Sequence, residues 1–347
     1  MTRLLTTALT IASALALAGC DELLLYDVSA DGRIIAPVDR EGHVTAFGQA
    51  ATPRHLVRLD PATGQIERLT QAPLPLSCPR ACGQGVTLVT QGNRLFYFQP
   101  GRPSRSLFES ERRLIQPTPS PAGDKVAVLE AERPGAPGAL YVIDVASGEA
   151  GEPIGGVLPG FVWSGDALVF ARTEQQEAQP FQPCLAEIWT RGAGERRMLF
   201  RGQLPGLSIL SAPRAGGDAL VSALPRPDGT LGLARLSLDG PAVSAGEPVR
   251  AVDMWPTCDA GGRVLFTRVP QGRDSIIDGQ LRLTALDALT RSVEVPTPGP
   301  VRAPRWVGGD GRVAYLTPDD RLVTQRVDGS EVVDWTDRLR VAAGGSP

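Results

Sequence analysis

The sequence predicts an all-β fold, a β-propeller of seven four-stranded blades, and three observations carry that expectation. Seven short apolar, β-prone runs begin near Ile34, Val86, Val126, Leu168, Leu220, Val264 and Val313, spaced 40 to 52 residues apart. A Gly-rich turn leads into each run, as Ser29-Ala30-Asp31-Gly32-Arg33 does into the first. No long amphipathic helix interrupts the series. Repeats of this period mark propellers and other arrays whose units bury their faces on one another. A two-sheet sandwich does not keep a four-strand period through so many cycles.

The first unit reads as strands over 23–29 and 33–38 around the turn Ala30-Asp31-Gly32. Strands follow over 55–60 and 65–69, joined by Pro61-Ala62-Thr63-Gly64. The third unit repeats the scheme with Ser120-Pro121-Ala122-Gly123-Asp124-Lys125-Val126, a strand over 140–144, and Ala146-Ser147-Gly148-Glu149. The sixth has Ala260-Gly261-Gly262-Arg263-Val264 and a run over 281–287. The seventh has Gly309-Asp310-Gly311-Arg312-Val313, a run over 322–327, the turn Asp328-Gly329, and a last strand over 331–335. Apolar and polar residues alternate in these runs, as half-buried strands require. The Asp-Gly and Gly-Gly pairs supply the positive φ of tight hairpins.

These residues also resemble a family. An apolar strand after Ser-Pro-Asp-Gly-Lys, then Ile-Tyr-Val-Asp, then Thr-Gly-Glu, is the pattern of TolB-type WD40-like propeller repeats. The copy over 120–128 and 140–149 follows it best, and Trp163-Ser164-Gly165-Asp166 and 306–315 are partial copies. The resemblance covers residues 23–336. It implies the propeller fold and an extracytoplasmic setting.

The N-terminus gives an address. Arg3 precedes an apolar stretch over 4–18, about fifteen residues and short of the roughly 20 that span a bilayer. Leu17-Ala18-Gly19-Cys20 matches a bacterial lipobox. We therefore expect a signal peptide over 1–19, lipidation at Cys20, a short anchored N-terminus over 20–22, a propeller over 23–337 and a tail over 338–347. Two or three acyl chains anchor firmly, because each buried CH₂ contributes about 0.8 kcal/mol. Asp21 resembles an inner-membrane retention signal. The expected location is the bacterial cell envelope, on a membrane face toward the periplasm, with inner and outer membrane both open.

Charge and chemistry narrow the function classes. The chain has 35 basic and 38 acidic residues with no basic stripe, and Lys125 is its one lysine, which argues against a nucleic-acid partner. Five cysteines include Cys20. Cys78 and Cys82 flank an enlarged turn in the second unit, and a disulfide between them is expected, with two buried thiols as the alternative. Cys184 is placed in the insert before the third strand of its unit and Cys258 in a first hairpin turn; their pairing stays open. His43 and His55 are the only histidines, and no Gly-x-Ser-x-Gly elbow is present. Neither a zinc set nor a calcium loop can be assembled, so no metal or cofactor is expected. Trp163, Trp255 and Trp306 suit packing between blades. The function that follows is a lipid-anchored protein-binding or scaffold module of the cell envelope with an envelope protein as partner, not an enzyme. The alternative is an enzyme or a sugar-binding sensor that uses the central channel.

Overall fold

The computed structural model describes residues 26–44, 54–73, 77–82, 85–99, 101–132, 136–174, 183–191, 196–205, 210–211, 219–225, 231–237, 243–245, 251–270 and 278–345. The first sheet holds β1 (Asp27–Val28), β2 (Ile34–Val38), β3 (His55–Asp60) and β4 (Gln65–Arg68) in that order. The second holds β5 (Ser77–Cys82), β6 (Val86–Gln91), β7 (Arg94–Phe98) and β8 (Arg105–Glu109). Next come β9 (Arg113–Pro119), β10 (Lys125–Ala131), β11 (Gly138–Asp144) and β12 (Ile154–Val157). They share a sheet with β13 (Val162–Ser164), β14 (Ala167–Arg172), β15 (Pro183–Arg191) and β16 (Arg196–Pro205), joined where Val157 pairs with Arg172. Then follow β17 (Leu210–Ser211), β18 (Ala219–Pro225), β19 (Leu231–Ser237) and β20 (Val243–Ala245). After them come β21 (Ala251–Cys258), β22 (Arg263–Pro270), β23 (Gln280–Ala285) and β24 (Val293–Glu294). The last sheet is β25 (Arg302–Val307), β26 (Arg312–Leu316), β27 (Leu322–Arg326) and β28 (Val333–Asp334), followed by helix α1 (Thr336–Ala342).

Among the described residues the chain thus makes seven sets of four consecutive strands, and each turn-led run is the second strand of its set. The repeat extends to single hydrogen bonds. In the first set the Ser29 N–H donates to Arg33 O (2.8 Å) and the Gly32 N–H to Ser29 O (2.9 Å). Ser120, Gly123 and Lys125 repeat this at 2.9 and 2.9 Å, and Asp259, Gly262 and Arg263 at 3.0 and 3.2 Å. Gly32 and Gly123 sit at φ +83° and +74°, a conformation that a Cβ disfavours. The outer hairpins use aspartate instead: Asp60 Oδ1 accepts the Ala62 and Thr63 N–H groups, and Asp144 Oδ1 those of Ala146 and Ser147, at 2.8–3.2 Å.

A second repeated device lies in the first strands. Cys78-Pro79, Trp255-Pro256 and Ala303-Pro304 each fall in a one-residue bulge, where register slips between Ser77 and Arg80, Met254 and Thr257, and Arg302 and Arg305. Proline has no N–H for the ladder, so a bulge is where a strand can hold it. Gln116, Trp255 and Ala303, each just before a proline, sit at φ +53°, +56° and +48°.

The strands divide into two compact units. One comprises Ala131–Leu140 and Pro153–Glu294; the other comprises Asp21–Glu130, Tyr141–Glu152 and Val295–Pro347. In the first unit, Leu233 of β19 packs with Cys258, Val264, Phe266 and Leu289. In the second, which carries the first and last sheets, one core joins the second sheet to β9, β10 and β11 through Leu88, Leu95, Leu114, Val126, Val128 and Ile143. Another joins the first two sheets through Ile35, Leu56, Val89 and Phe98. The first sheet also meets the last. The buried Tyr26 hydroxyl donates to Ala303 O at 2.7 Å, and a Cβ on Gly32 would lie 3.3 Å from Gly308 N.

Three details differ from the sequence reading. Residues 336–342, read as the end of the propeller and the start of a tail, form α1, which seals Leu339 completely from solvent. Cys184 lies on β15, opposite Leu204, not in the preceding insert. Tyr26 precedes the described first strand, which is Asp27–Val28. The signal segment, Cys20 and residues 175–182 of the insert lie outside the described residues.

Candidate functional site

An open groove of about 760 Å³ lies between the first two sheets. One wall is β4 with the connection that follows it, and the other is the β7–β8 loop. Phe98 closes the floor because it belongs to the core shared by the two sheets, and Leu69 packs on that same core. Phe96 meets Phe98 at 6.4 Å between ring centroids, tilted 47°, which stiffens the floor. Ala72 and Pro103 are exposed on the rim.

β4 is the outer strand of its sheet. The Leu69 N–H donates to Leu56 O at 2.8 Å, and Val57 opposes Arg68 while Leu59 opposes Ile66. Antiparallel pairs alternate between hydrogen-bonded and non-hydrogen-bonded. The backbone groups of Ile66 and Arg68 therefore point away from β3, where no further strand pairs with them among the described residues, and α1 packs against β4.

The charges around the groove are unequal in their partners. Glu67 is paired with Arg58, whose guanidinium also donates to Gly85 O at 3.3 Å. Arg102 is exposed on the rim, whereas Arg68, opposite Val57, projects from the face of β4 away from Leu69, and its Nη1 lies 4.0 Å from where a Cβ on Gly344 would sit. The groove thus offers Leu69 and Phe98 below and one basic side chain, Arg102, on its rim. Two signals were available in sequence, the charged Glu67-Arg68 at the end of an amphipathic strand and the Gly101-Arg102-Pro103 turn. What no local pattern reveals is that residues more than thirty positions apart share one groove.

The residues singled out from sequence do not converge on this groove or on each other. Cys82 ends β5 as a free, buried thiol 3.6 Å from Gly123 O, and burial pushes it up to about 11. Cys78 lies four residues earlier on the same strand, and its side chain is outside the described residues. The expected Cys78–Cys82 link therefore involves a side chain that lies outside the described residues. Cys258 is also free and buried, pushed up to about 12 by desolvation. His43 lies 3.7 Å from Asp39 in a turn, and His55 is buried with Nδ1 3.3 Å from Thr70 O. Trp255 and Trp306 are buried and Trp163 half-buried, all on first strands. Among the described residues no group of three or more His, Cys, Asp or Glu could hold a metal ion.

No protein-family model matches the sequence, and no curated protein matches it. Solved structures do. The chain is similar to TolB from Acinetobacter baumannii, at 14% identity and a TM-score of 0.52, over 88% of this chain and 76% of that one. It is similar to a puromycin-hydrolyzing peptidase of Mycobacterium tuberculosis, at 14% identity and a TM-score of 0.63, over 91% of this chain and 54% of that one. Against Pyrococcus horikoshii acylaminoacyl peptidase the values are 12% and 0.59, over 87% and 50%. The chain spans about half the length of those two peptidases. At these identities the likeness shows the fold, an all-β propeller of four-stranded sheets.

Proposed function

We propose that this chain is a protein-binding module of the bacterial cell envelope, held at a membrane by lipid on Cys20. The single observation that supports it most is the propeller likeness to TolB, which takes in 88% of this chain. Loops and edges on a rigid frame are where such folds carry binding residues. The lipobox Leu17-Ala18-Gly19-Cys20 supports the anchor, and Asp21 beside it bears on which membrane holds the protein.

The peptidase neighbours favour a second reading, in which the propeller serves a hydrolase. The sequence offers that reading little, since it has two histidines and no Gly-x-Ser-x-Gly elbow. Crosslinking in native membranes, followed by capture of the chain and mass spectrometry, tests the first reading. One envelope protein should be recovered repeatedly, and Cys20→Ala should move the chain from the membrane fraction to the soluble one. Failure to recover a partner, together with turnover of aminoacyl substrates by the purified chain, would overturn it.

A further inference from the structure

We infer that the membrane surface lies against one end of the second unit, the end at which the chain enters through Tyr26. The opposite end, with the turns at 29–32 and 308–311, faces away from the bilayer. This rests on the lipid anchor at Cys20 proposed above and adds the side from which a partner protein approaches. Strand direction fixes the entry end. β1 is antiparallel to β2, with Asp27 opposite Ile35 and Val28 opposite Ile34. The chain therefore comes in beside the finish of β2 and the start of β3, and runs toward the turn at 29–32. The last sheet runs in the same sense, since a Cβ on Gly32 would lie 3.3 Å from Gly308 N in the equivalent turn. At the entry end the Val44 N–H donates to Asp320 O at 3.0 Å. The second sheet follows suit. Asp27 Oδ2 accepts the Ala81 N–H at 3.0 Å, and Ala81 opposes Thr87 as Asp27 opposes Ile35. The Ser110 N–H donates to Asn93 O at 3.0 Å, so the connections at 92–93 and 110–112 share this end with those at 39–44 and 317–321.

The tether is too short to leave the orientation free. From Cys20 to Tyr26 the extended chain reaches roughly 20 Å. β2 and β3 run past the level of Tyr26 to the pair Val38 and His55, by about 7 Å. About 13 Å of reach is left beyond the sheet. β9 (Arg113–Pro119) spans about 20 Å from the entry end to the far one. To lay the far end on the bilayer the tether would have to retrace that length, and it cannot. Nor can the entry point swivel. Tyr26 is 1% exposed, with its hydroxyl bonded to Ala303 O in the last sheet, and Asp27 lies 3.6 Å from Arg80 in the second. The entry end is mixed in charge: Arg40 is exposed beside Glu41 and Arg112 beside Glu111, and Arg321 pairs with Asp319 at 2.7 Å. Alternating signs make no basic patch for anionic lipid, so the acyl chains supply the affinity and the tether the orientation. The far end, which includes the β7–β8 loop of the groove, is then open to the partner.

Energy transfer to a rhodamine-headgroup lipid tests this, with the lipidated full chain in vesicles of phosphatidylethanolamine and phosphatidylglycerol. A dye is attached through p-azidophenylalanine either at Glu111 on the entry end or at Ala122 in the far turn. The Glu111 dye should lie about 15–20 Å nearer the headgroups, the span of β9, and transfer at least threefold more strongly. A Gly-Ser insert of twenty residues after Glu22, with a span of about 25 Å, should keep the chain on the vesicles and erase the difference. Equal transfer from the two dyes without the insert, or stronger transfer from Ala122, overturns the inference. So does a difference that survives the insert, because something other than the tether then orients the unit. Cys20→Ala should leave both dyes in solution without transfer, and vesicle binding by that variant overturns the inference in favour of contact through surface charge. If the chain extracted from membranes has an intact mass without lipid, the anchor reading falls and the inference with it. A lipidated chain whose Ala122 dye is the nearer one overturns the orientation alone.

Discussion

At the scale of single residues, burial decides the chemistry of the groups that looked reactive in the sequence. The Cys82 thiol faces a carbonyl in a closed core and is pushed up to about 11 by desolvation, with Asp124 adding to the shift. The thiolate is the reactive form, so Cys82 should resist iodoacetamide at pH 8 in the native protein and react once guanidinium unfolds it. A non-reduced digest that shows Cys82 linked to another cysteine would contradict this. His55 is held neutral by its burial, with Arg68 and Arg40 acting in the same direction against the hydrogen bond to Thr70. Its folded pKa lies below the ordinary imidazole value of about 6.5, so below that value the unfolded chain binds more protons. Stability from this group is therefore present above about pH 6.5 and is lost as pH falls through the folded pKa. The melting temperature should drop between pH 7.5 and 5.5, and the drop should be smaller in His55→Gln.

At the scale of elements, much of the fold was legible because its signals are local. The second strands follow turns whose glycines must take positive φ, and the outer hairpins follow aspartates that bind the next two N–H groups. Elements set by tertiary packing were not legible. α1 has an unremarkable local sequence, and its place depends on distant glycines. A Cβ on Gly42 would lie 2.2 Å from Thr336 O and 2.8 Å from Arg340 N, and Gly42 sits at φ +88°. Gly42→Ala should cost about 2 kcal/mol or more, since it adds overpacking to backbone strain, and differential scanning calorimetry would read it. An unchanged melting temperature would mean that α1 does not seat on the first sheet. The proline bulges were marked in sequence by Cys78-Pro79, Gln116-Pro117, Trp255-Pro256 and Ala303-Pro304, yet a proline inside an apolar run reads first as a break. The groove was hidden for a different reason. Leu69 and Phe98 look like ordinary strand residues, and their role appears only when two sheets share a core.

Across the whole molecule, the two ends of the chain are tied together. Tyr26, just ahead of β1, reaches Ala303 on β25, and burial raises its phenol pKa far above the usual range, so it donates at all physiological pH. Tyr26→Phe leaves the Ala303 carbonyl buried without this donor and should cost about 1–3 kcal/mol. Deletion of residues 300–347 removes the last sheet and should abolish cooperative unfolding, because it uncovers the face of the first. A truncated chain that melts at the original temperature would show that the first and last sheets do not depend on each other. The partner-binding claim is tested most directly by photocrosslinking in native cells, with a photoreactive phenylalanine analogue at Gln99 in the groove or at Gly165 in the β13–β14 turn. The account predicts one discrete protein adduct from Gln99 and none from Gly165. Adducts absent from both positions, or from Gln99 only to phospholipid, would contradict it.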